Sequence, residues 1–367
     1  MDNFFPKKGV KIAIALSGGV DSGVAAKLLV DKGYDLVSFH IHLWSSCREN
    51  TCCGGELLET ARDTAKLLKI PFYEIDMKNE FKAEVVNKLI DVYQRGGTPN
   101  PCILCNKNIR FGKVLQWVED KLKVDYLATG HYIKSIKYKS NNYHKRIFAR
   151  AKDKTKDQSY FLYAINKKSI DKLVFPLGGY FKKDVWLMAQ KWQLPVIKSK
   201  ESFDLCFTNN IQKFLKSFAP NLIKKGEVLN SRDEHIGTHR GLSFYTIGQR
   251  AGFKINPKLQ STRMPKYYVI AKDLDFNTLI VGSQKESTSL KLKISKLNWF
   301  LKPQDKESEV LVKIRNTGSL NQAKIHMLGA KAELILDKPV IGVALGQSAV
   351  IYKRYKNQTV LIGGGIN

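Results

Sequence analysis

The first half of the chain alternates short apolar runs with segments whose apolar residues recur three and four positions apart. The apolar runs predict strands, and the segments with helical spacing predict helices. Strands are predicted at 10–16, 36–43, 71–75 and 125–129, and helices from 20 and at 56–68, 80–93, 106–121, 158–164 and 184–192. This alternation predicts an α/β fold with a doubly wound parallel sheet, in which ligands bind beyond the carboxyl ends of the strands.

The second half of the chain has a different pattern, with short alternating segments bounded by turn residues. A polar pair of alternating segments within 133–151, split by Ser140-Asn141-Asn142, predicts a hairpin. From about residue 267 almost every segment is a short strand bounded by turn residues, which predicts a small β-barrel. We therefore expect three domains: an α/β domain at 1–208, a small central domain at 209–272 and a C-terminal β-barrel at 273–367.

Charge indicates the class of partner. The chain of 367 residues has 61 Lys and Arg against 33 Asp and Glu, a net charge of +28. A basic surface is typical of nucleic-acid binders, although an excess of Lys over Arg also occurs in proteins from AT-rich genomes. No apolar run has the length of a membrane helix, and the N-terminal apolar run leads directly into a Ser/Gly loop. We expect a cytoplasmic protein that binds no membrane.

The loop between the first strand and the first helix reads Ser17-Gly18-Gly19-Val20-Asp21-Ser22. Glycines allow close approach of the backbone to an anion, and the N–H groups at the start of a helix point toward it. This pattern predicts a phosphate-binding loop. It is not the GxxxxGK[ST] type, since no Lys follows the glycines. The alternative is an ordinary glycine-containing turn between strand and helix.

A second motif, Thr98-Pro-Asn-Pro-Cys-Ile-Leu-Cys-Asn106, places Cys102 and Cys105 at the start of a predicted helix. The helix dipole lowers the pKa of a thiol in that position, which favours a nucleophilic thiolate. The alternative is half of a zinc or iron–sulfur site, completed by Cys52 and Cys53.

Three further stretches are candidate sites. Cys206 lies between apolar neighbours, where a cysteine is commonly a small buried hydrophobe. Asp157 is predicted as a helix N-cap, which would leave Lys156 and Gln158 available to a ligand. The segment 239–250 mixes basic, aromatic and glycine residues, as RNA-binding surfaces do, although a solvated hairpin has the same composition.

Taken together, these motifs resemble the tRNA-specific 2-thiouridylase family over nearly the whole chain. The matching segments are SGGVDS (17–22), TPNPCILCN (98–106), ATGHY (128–132), KDQSYFL (156–162), FPLG (175–178), SFDLCF (202–207), YTIGQR (245–250), GQSAV (346–350) and GGG (363–365). The resemblance implies an adenine-nucleotide alpha-hydrolase (PP-loop) domain, and thiolation of wobble uridine 34 in tRNA.

The resemblance also implies roles for individual residues. ATP would be bound by Ala15, Leu16, Ser17, Gly18, Gly19, Val20, Asp21, Ser22, Ile41 and Gly130, with Asp21 holding Mg²⁺. The target base would be contacted by Asn100, Pro101 and Cys102. The tRNA would be contacted by Lys156, Asp157, Gln158, Arg315 and Asn316. Cys206 would carry a persulfide from a sulfur-relay protein, and Cys105 would be the nucleophile that forms a transient disulfide with Cys206. The enzyme would be a monomer.

The sequence departs from the family pattern at positions that the resemblance assigns to contacts with the target base and the tRNA. Cys102 stands where the family often has Asp, and Asn316 replaces an aromatic residue. Two other classes remain open at this stage. A PP-loop enzyme that amidates or ligates a small molecule through an adenylate would need neither Cys105 nor Cys206. A non-catalytic tRNA-binding protein would need neither these thiols nor Asp21.

Overall fold

A five-stranded parallel sheet forms the centre of the first domain. The computed structural model describes residues 3–44, 55–140, 143–196, 205–208, 210–256 and 266–367. The sheet has the order β3-β2-β1-β4-β7, and its strands are β1 (Lys11–Ala15), β2 (Asp35–His42), β3 (Phe72–Asp76), β4 (Tyr126–Ala128) and β7 (Leu173–Val174). Ile12, Ala13 and Ile14 of the central strand are fully buried. This sheet confirms the predicted α/β class, because apolar strands covered by helices on both faces pair in parallel.

Helices cover both faces of this sheet. They are α1 (Val20–Asp31), α2 (Gly55–Leu67), α3 (Lys78–Phe81), α4 (Asn87–Gln94), α5 (Pro101–Leu104), α6 (Leu115–Leu122) and α7 (Lys182–Lys191). π-Helical stretches at Lys82–Val86 and Cys105–Val114 join α3 to α4 and α5 to α6. The predicted helix at 106–121 thus begins earlier, at Pro101, because proline is favoured in a first helical turn.

The predicted hairpin is present as β5 (Ile133–Ser140) and β6 (Tyr143–Arg150). It joins a second sheet of order β13-β16-β15-β14-β17-β18-β6-β5, in which β13 also pairs with β18 and closes a six-stranded barrel. The barrel strands are β13 (Thr288–Trp299), β14 (Glu307–Lys313), β15 (Asn321–Leu328), β16 (Lys331–Ile341), β17 (Ser348–Tyr355) and β18 (Gln358–Ile366). The hairpin of the first domain therefore continues the sheet of the C-terminal barrel, with Val360 opposite Ala149.

The central domain has its own five-stranded sheet of order β10-β9-β8-β12-β11. Its strands are β8 (Gly226–Asn230), β9 (His235–His239), β10 (Lys254–Ile255), β11 (Tyr268–Asp273) and β12 (Thr278–Gly282), preceded by α8 (Ile211–Phe218). The predicted border at 272/273 falls inside this sheet, since β12 pairs with both β8 and β11. Strand pairing favours a border between Gly282 and Thr288.

The segment predicted as a helix at 158–164 is shorter in the structure. It forms a single 3₁₀ turn at Ser159–Leu162, and further 3₁₀ turns occur at Lys167–Lys172, Pro176–Gly179, Pro220–Leu222 and Leu242–Phe244. Tyr160 and Tyr163 from this segment are buried against the barrel. The hydroxyl of Tyr160 donates to the carbonyl oxygen of Ser348, and the hydroxyl of Tyr163 shares a hydrogen bond with Ser348 Oγ. Packing against β17 therefore decides the conformation. Within the described residues, no helix is long and apolar enough to cross a bilayer.

Candidate active site

A cleft of about 540 Å³ opens at the carboxyl end of the parallel sheet, where the fold predicts ligand binding. It is lined by residues that lie far apart in the sequence. The predicted site residues along its wall are Ala15, Leu16, Ser17, Gly19, Val20, Asp21, Ser22, Ile41, Pro101, Cys102, Cys105, Gly130, Lys156, Asp157, Gln158, Cys206 and Asn316. Gly18, Asn100 and Arg315 belong to the adjoining segments but do not line this wall.

The Ser/Gly loop has the geometry of an anion-binding loop. Gly18 has a φ of +78°, and a Cβ there would lie 2.2 Å from the carbonyl oxygen of Leu57. A Cβ on Gly130 would lie 2.8 Å from the backbone of Asp21, so both positions require glycine. No side chain among the described residues caps the N-terminus of α1. The first-turn N–H groups of α1 thus face the cleft without a side-chain acceptor, which suits phosphate oxygens.

The two serines of the loop bond to each other and to the backbone. The hydroxyl of Ser22 donates to the carbonyl oxygen of Gly19 at 2.9 Å and lies 3.1 Å from Ser17 Oγ. The backbone N–H of Ser17 donates to Ser22 Oγ at 3.1 Å. These bonds hold the loop in shape before a ligand arrives.

Asp21 is bound by two side chains from other segments. Lys182 Nζ donates to both carboxylate oxygens at 2.7 Å, and the hydroxyl of Tyr132 donates to Oδ1 at 2.7 Å. Lys182 follows the FPLG segment and was not among the predicted site residues. The sequence offered no signal for it, because Lys182 lies 161 positions from Asp21 and begins an otherwise ordinary charged helix.

Two histidines lie in the cleft wall beside the loop. His40 Nδ1 is 2.9 Å from the carbonyl oxygen of Leu16, whereas its buried Nε2 has no hydrogen-bond partner among the described residues. Burial lowers the pKa of His40. Burial, with a smaller contribution from Arg110, lowers the pKa of His131 to about 3. Both rings are therefore neutral at physiological pH, and the positive charge of this wall comes from Arg110, Lys156 and Lys182.

Cys102, Cys105 and Cys206 are thiols that line the same cleft, although Cys206 comes from a segment 101 or more residues beyond the other two. Cys105 is buried, whereas Cys102 and Cys206 are half-buried. Cys102 lies in the first turn of the helical run that begins at Pro101, and Cys105 follows one turn later. Both thiols therefore lie in the first two turns of one helical run.

The metal alternative requires Cys102 and Cys105 together with Cys52 or Cys53. In the described part of the chain, no group of three or more His, Cys, Asp and Glu side chains is arranged to hold a metal ion. Cys47, Cys52 and Cys53 lie outside the described residues. A zinc site that includes Cys52 or Cys53 therefore stays a hypothesis.

The segment at 156–158 is held by hydrogen bonds on its inner side. The side chain of Asp157 is fully buried in an ion pair with Arg150, and its Oδ1 accepts from the N–H of Ala151 at 3.0 Å. The N-cap position of the following turn is Gln158, not Asp157 as predicted. The Oε1 of Gln158 accepts from the N–H of Tyr132 at 2.9 Å. Any part of Asp157 in tRNA binding is therefore indirect, because its carboxylate is used within the protein.

The remaining predicted contact residues lie at the barrel side of the cleft. Asn100 bonds to the hydroxyl of Tyr160. Arg315 Nη2 donates to the carbonyl oxygens of Ile341 and Gly342 at 2.8 and 2.7 Å. Within the described residues, the buried atoms Arg315 Nε and Asn316 Oδ1 have no hydrogen-bond partner. Buried polar atoms without partners are uncommon in folded proteins.

In the segment 239–250, the aromatic and histidine side chains prove to be structural. His239 is buried and its Nε2 lies 2.9 Å from the carbonyl oxygen of Asn277, while the hydroxyl of Tyr245 donates to Gly252. Arg240 and Arg250 are exposed. The expected RNA-reading surface is thus reduced to its charged members.

Comparison with known proteins covers almost the whole chain. Residues 10–210 match the model of the tRNA methyl transferase HUP domain, residues 212–283 that of the tRNA methyl transferase PRC-barrel domain, and residues 289–366 that of the aminomethyltransferase beta-barrel domain. The chain is similar to the tRNA-specific 2-thiouridylase MnmA 2 of Thermoanaerobacter sp. (strain X514), with 34% identity over 97% of each chain. It is similar to the tRNA-specific 2-thiouridylase MnmA of Natranaerobius thermophilus, with 35% identity over 97% of this chain and 96% of the relative.

Among solved structures, a 4-thiouridine synthetase–RNA complex with bound ATP aligns with a TM-score of 0.35 and 16% identity. The alignment covers 58% of this chain and 51% of that chain.

Proposed function

Because the chain belongs to the tRNA-specific 2-thiouridylase family, we propose that it replaces the 2-oxygen of a tRNA uridine, the wobble uridine 34, with sulfur at the expense of ATP. The observation that carries this proposal is that one cleft contains the Ser/Gly loop, Cys105 and Cys206. A ligase acting through an adenylate on a small molecule needs the loop but neither thiol. A non-catalytic binding protein needs none of these groups.

The first step is activation of the uridine. The oxygen on C2 is a poor leaving group, so it attacks the α-phosphorus of ATP and pyrophosphate departs. The N–H groups of the Ser/Gly loop and the hydroxyls of Ser17 and Ser22 would hold the phosphates, while Ile41 and Gly130 would lie beside the adenosine. Asp21 offers carboxylate oxygens that suit Mg²⁺, which when bound would neutralise charge on the leaving pyrophosphate.

The second step is sulfur transfer. Cys206 would carry a persulfide delivered by a sulfur-relay protein, and its outer sulfur attacks C2 and expels AMP. Cys105 thiolate then attacks the inner sulfur of Cys206, which leaves 2-thiouridine and a Cys105–Cys206 disulfide. In the alternative order, Cys105 first releases hydrogen sulfide from the persulfide, and hydrogen sulfide attacks C2. Either route requires a dithiol reductant to restore both thiols.

The tRNA would approach across the barrel side of the cleft. Asn100, Pro101 and Cys102 would contact the target base, and Lys156, Gln158, Arg315 and Asn316 the neighbouring nucleotides, with Asp157 ordering that segment. The unpartnered Asn316 Oδ1 supports this placement. The net charge of +28 is consistent with a polyanionic substrate.

The test is mass spectrometry of wobble uridines in tRNA incubated with ATP and a persulfide donor, with and without the protein. We expect tRNA-dependent release of AMP and pyrophosphate together with 2-thiouridine. Asp21→Ala should stop both, because the leaving pyrophosphate loses its charge neutralisation. AMP release without tRNA, or full turnover by Asp21→Ala, would contradict the proposal.

A further inference from the structure

The ion pair between Lys182 and Asp21 has an unusual setting for a nucleotide site. The side chain of Lys182 is 15% exposed and that of Asp21 is 35% exposed, and both line the cleft beside the Ser/Gly loop. The ammonium lies 5.8 Å from the ring centre of Tyr132 and 5.6 Å from that of Trp186. The rings and the carboxylate therefore fix the position of a positive charge inside the cleft.

The backbone of Lys182 is fixed as well. Its N–H donates to Asp153 Oδ2 at 3.0 Å, and the other carboxylate oxygen of Asp153 accepts from Thr155. Lys182 is also the first residue of α7. The main chain thus cannot move without breaking a second carboxylate interaction, whereas the four-carbon side chain can rotate.

The carboxylate of Asp21 is fully used in this arrangement. Lys182 occupies both oxygens at 2.7 Å, and Tyr132 donates to one of them as well. A divalent cation that binds Asp21 competes with the ammonium for these oxygens, because two positive charges this close repel each other. The displaced ammonium then needs another anion in a partly buried cleft.

We infer that Lys182 is the phosphate-binding cation of this site and that Asp21 exchanges Lys182 for Mg²⁺ when the nucleotide binds. The phosphates of ATP at the Ser/Gly loop are the anion nearest at hand for the displaced ammonium. Before binding, the pair cancels its own charge and keeps Asp21 from repelling the phosphates. The inference rests on the proposed function only in taking ATP as the ligand of the loop.

The experiment measures ATP binding by calorimetry, first in EDTA and then across a Mg²⁺ series, with the full chain and no tRNA. Lys182→Met removes the charge but leaves a flexible apolar side chain between the two rings. The matched control is Lys183→Met, which removes the same charge from an exposed neighbour on α7. Asp21→Asn provides the partner variant.

For Lys182→Met we expect metal-free ATP to bind about tenfold more weakly or worse, because the Asp21 carboxylate is left unneutralised and repels the phosphates. The same variant should need less Mg²⁺ than the wild type for half of its gain in affinity, since no ammonium competes for Asp21. Lys183→Met should stay within about twofold of the wild type in both conditions. For Asp21→Asn, Mg²⁺ should raise the affinity for ATP only by the amount that follows from Mg²⁺ binding to ATP alone.

Opposite shifts in ATP affinity and Mg²⁺ requirement cannot come from a loosened fold. If Lys182→Met does not fold, Lys182→Gln keeps a hydrogen bond to Asp21 without the charge and carries the same expectations. Binding equal to that of Lys183→Met would overturn the assignment of Lys182. Weakened binding with an unchanged Mg²⁺ requirement would overturn the exchange. A wild type that binds no ATP would refute the proposed function itself, whereas wild-type binding with unaffected variants would refute this inference alone.

Discussion

Arg150 Nε donates to Oδ2 of Asp157 at 2.7 Å, in a pair whose carboxylate is fully buried. The same oxygen accepts from Ser159 Oγ at 3.0 Å, and Ser159 Oγ lies 3.0 Å from the hydroxyl of Tyr352 in β17. Asp157 thus joins the end of the β5–β6 hairpin to the turn that packs on the barrel. Through Ser159 the pair is linked to Tyr352 of the C-terminal barrel.

We predict that Asp157→Asn lowers the free energy of unfolding by about 3 kcal/mol, because it leaves the Arg150 guanidinium without its counter-ion in a largely buried position. Urea unfolding followed by circular dichroism measures the change. The control is the adjacent Lys156→Gln, which should alter stability by less than about 0.5 kcal/mol yet weaken tRNA binding. Equal stability of the two variants would show that the buried pair contributes little.

The three thiols of the cleft should differ in importance. We predict that Cys105→Ser and Cys206→Ser each eliminate 2-thiouridine, because a hydroxyl can neither carry a persulfide nor attack one at neutral pH. Cys102→Ser should reduce the yield without abolishing it. Thiolation measured by mass spectrometry on the single variants gives the comparison.

The metal-site hypothesis predicts a different set of essential cysteines. It requires Cys102 and Cys105 together with Cys52 or Cys53, and it leaves Cys206 replaceable. Metal content measured on the same variants separates the two hypotheses. Full activity of Cys206→Ser would refute the persulfide assignment.

His131 should make the protein sensitive to acid. Its pKa is lowered from 6.5 to about 3 in the folded state, so the unfolded chain binds a proton that the folded chain excludes. The contribution of His131 to the free energy of unfolding is therefore fully present above pH 6.5. It decreases as the pH falls toward 3, by up to about 1.4 kcal/mol per pH unit. His131→Asn should flatten the dependence of unfolding free energy on pH between 6.5 and 4. Parallel curves for the two proteins would exclude His131 as the cause.

The positive charge should act through identifiable residues. We predict that tRNA affinity falls steeply with salt, and that Arg240→Gln with Arg250→Gln reduces the slope of log Kd against log salt by about 1 to 2. The matched control is Lys7→Gln with Lys8→Gln, which removes the same charge from another exposed segment. Equal slopes for the two double variants would indicate that the charge acts as a diffuse field. Deletion of the barrel would not test the role of charge, because β18 of the barrel pairs with β6 of the first domain and its removal would disturb that domain as well.

Local sequence pattern determined the elements that carry the nucleotide chemistry. Apolar runs and helical spacing predicted four of the five parallel strands, all except β7. The Ser/Gly loop was recognisable because glycine is required where a Cβ would collide with neighbouring main chain. A Cβ on Gly18 or on Gly130 would lie 2.2 or 2.8 Å from neighbouring main-chain atoms, which no other residue type could tolerate. Patterns of this kind are readable from sequence since each depends on residues that are close along the chain.

The tertiary structure determined which residues and strands of these elements contact each other. Lys182 forms an ion pair with Asp21, which lies 161 positions away in the sequence. The segment with Tyr160 and Tyr163 does not form the predicted helix, and both hydroxyls instead bond to Ser348, nearly 190 positions away. The same holds for the border at 272/273, which the pairing of β12 with β8 displaced. Ion pairs and strand pairs form between residues that are close in space. The sequence around a lysine or a short alternating strand does not show which distant residue or strand will be its partner.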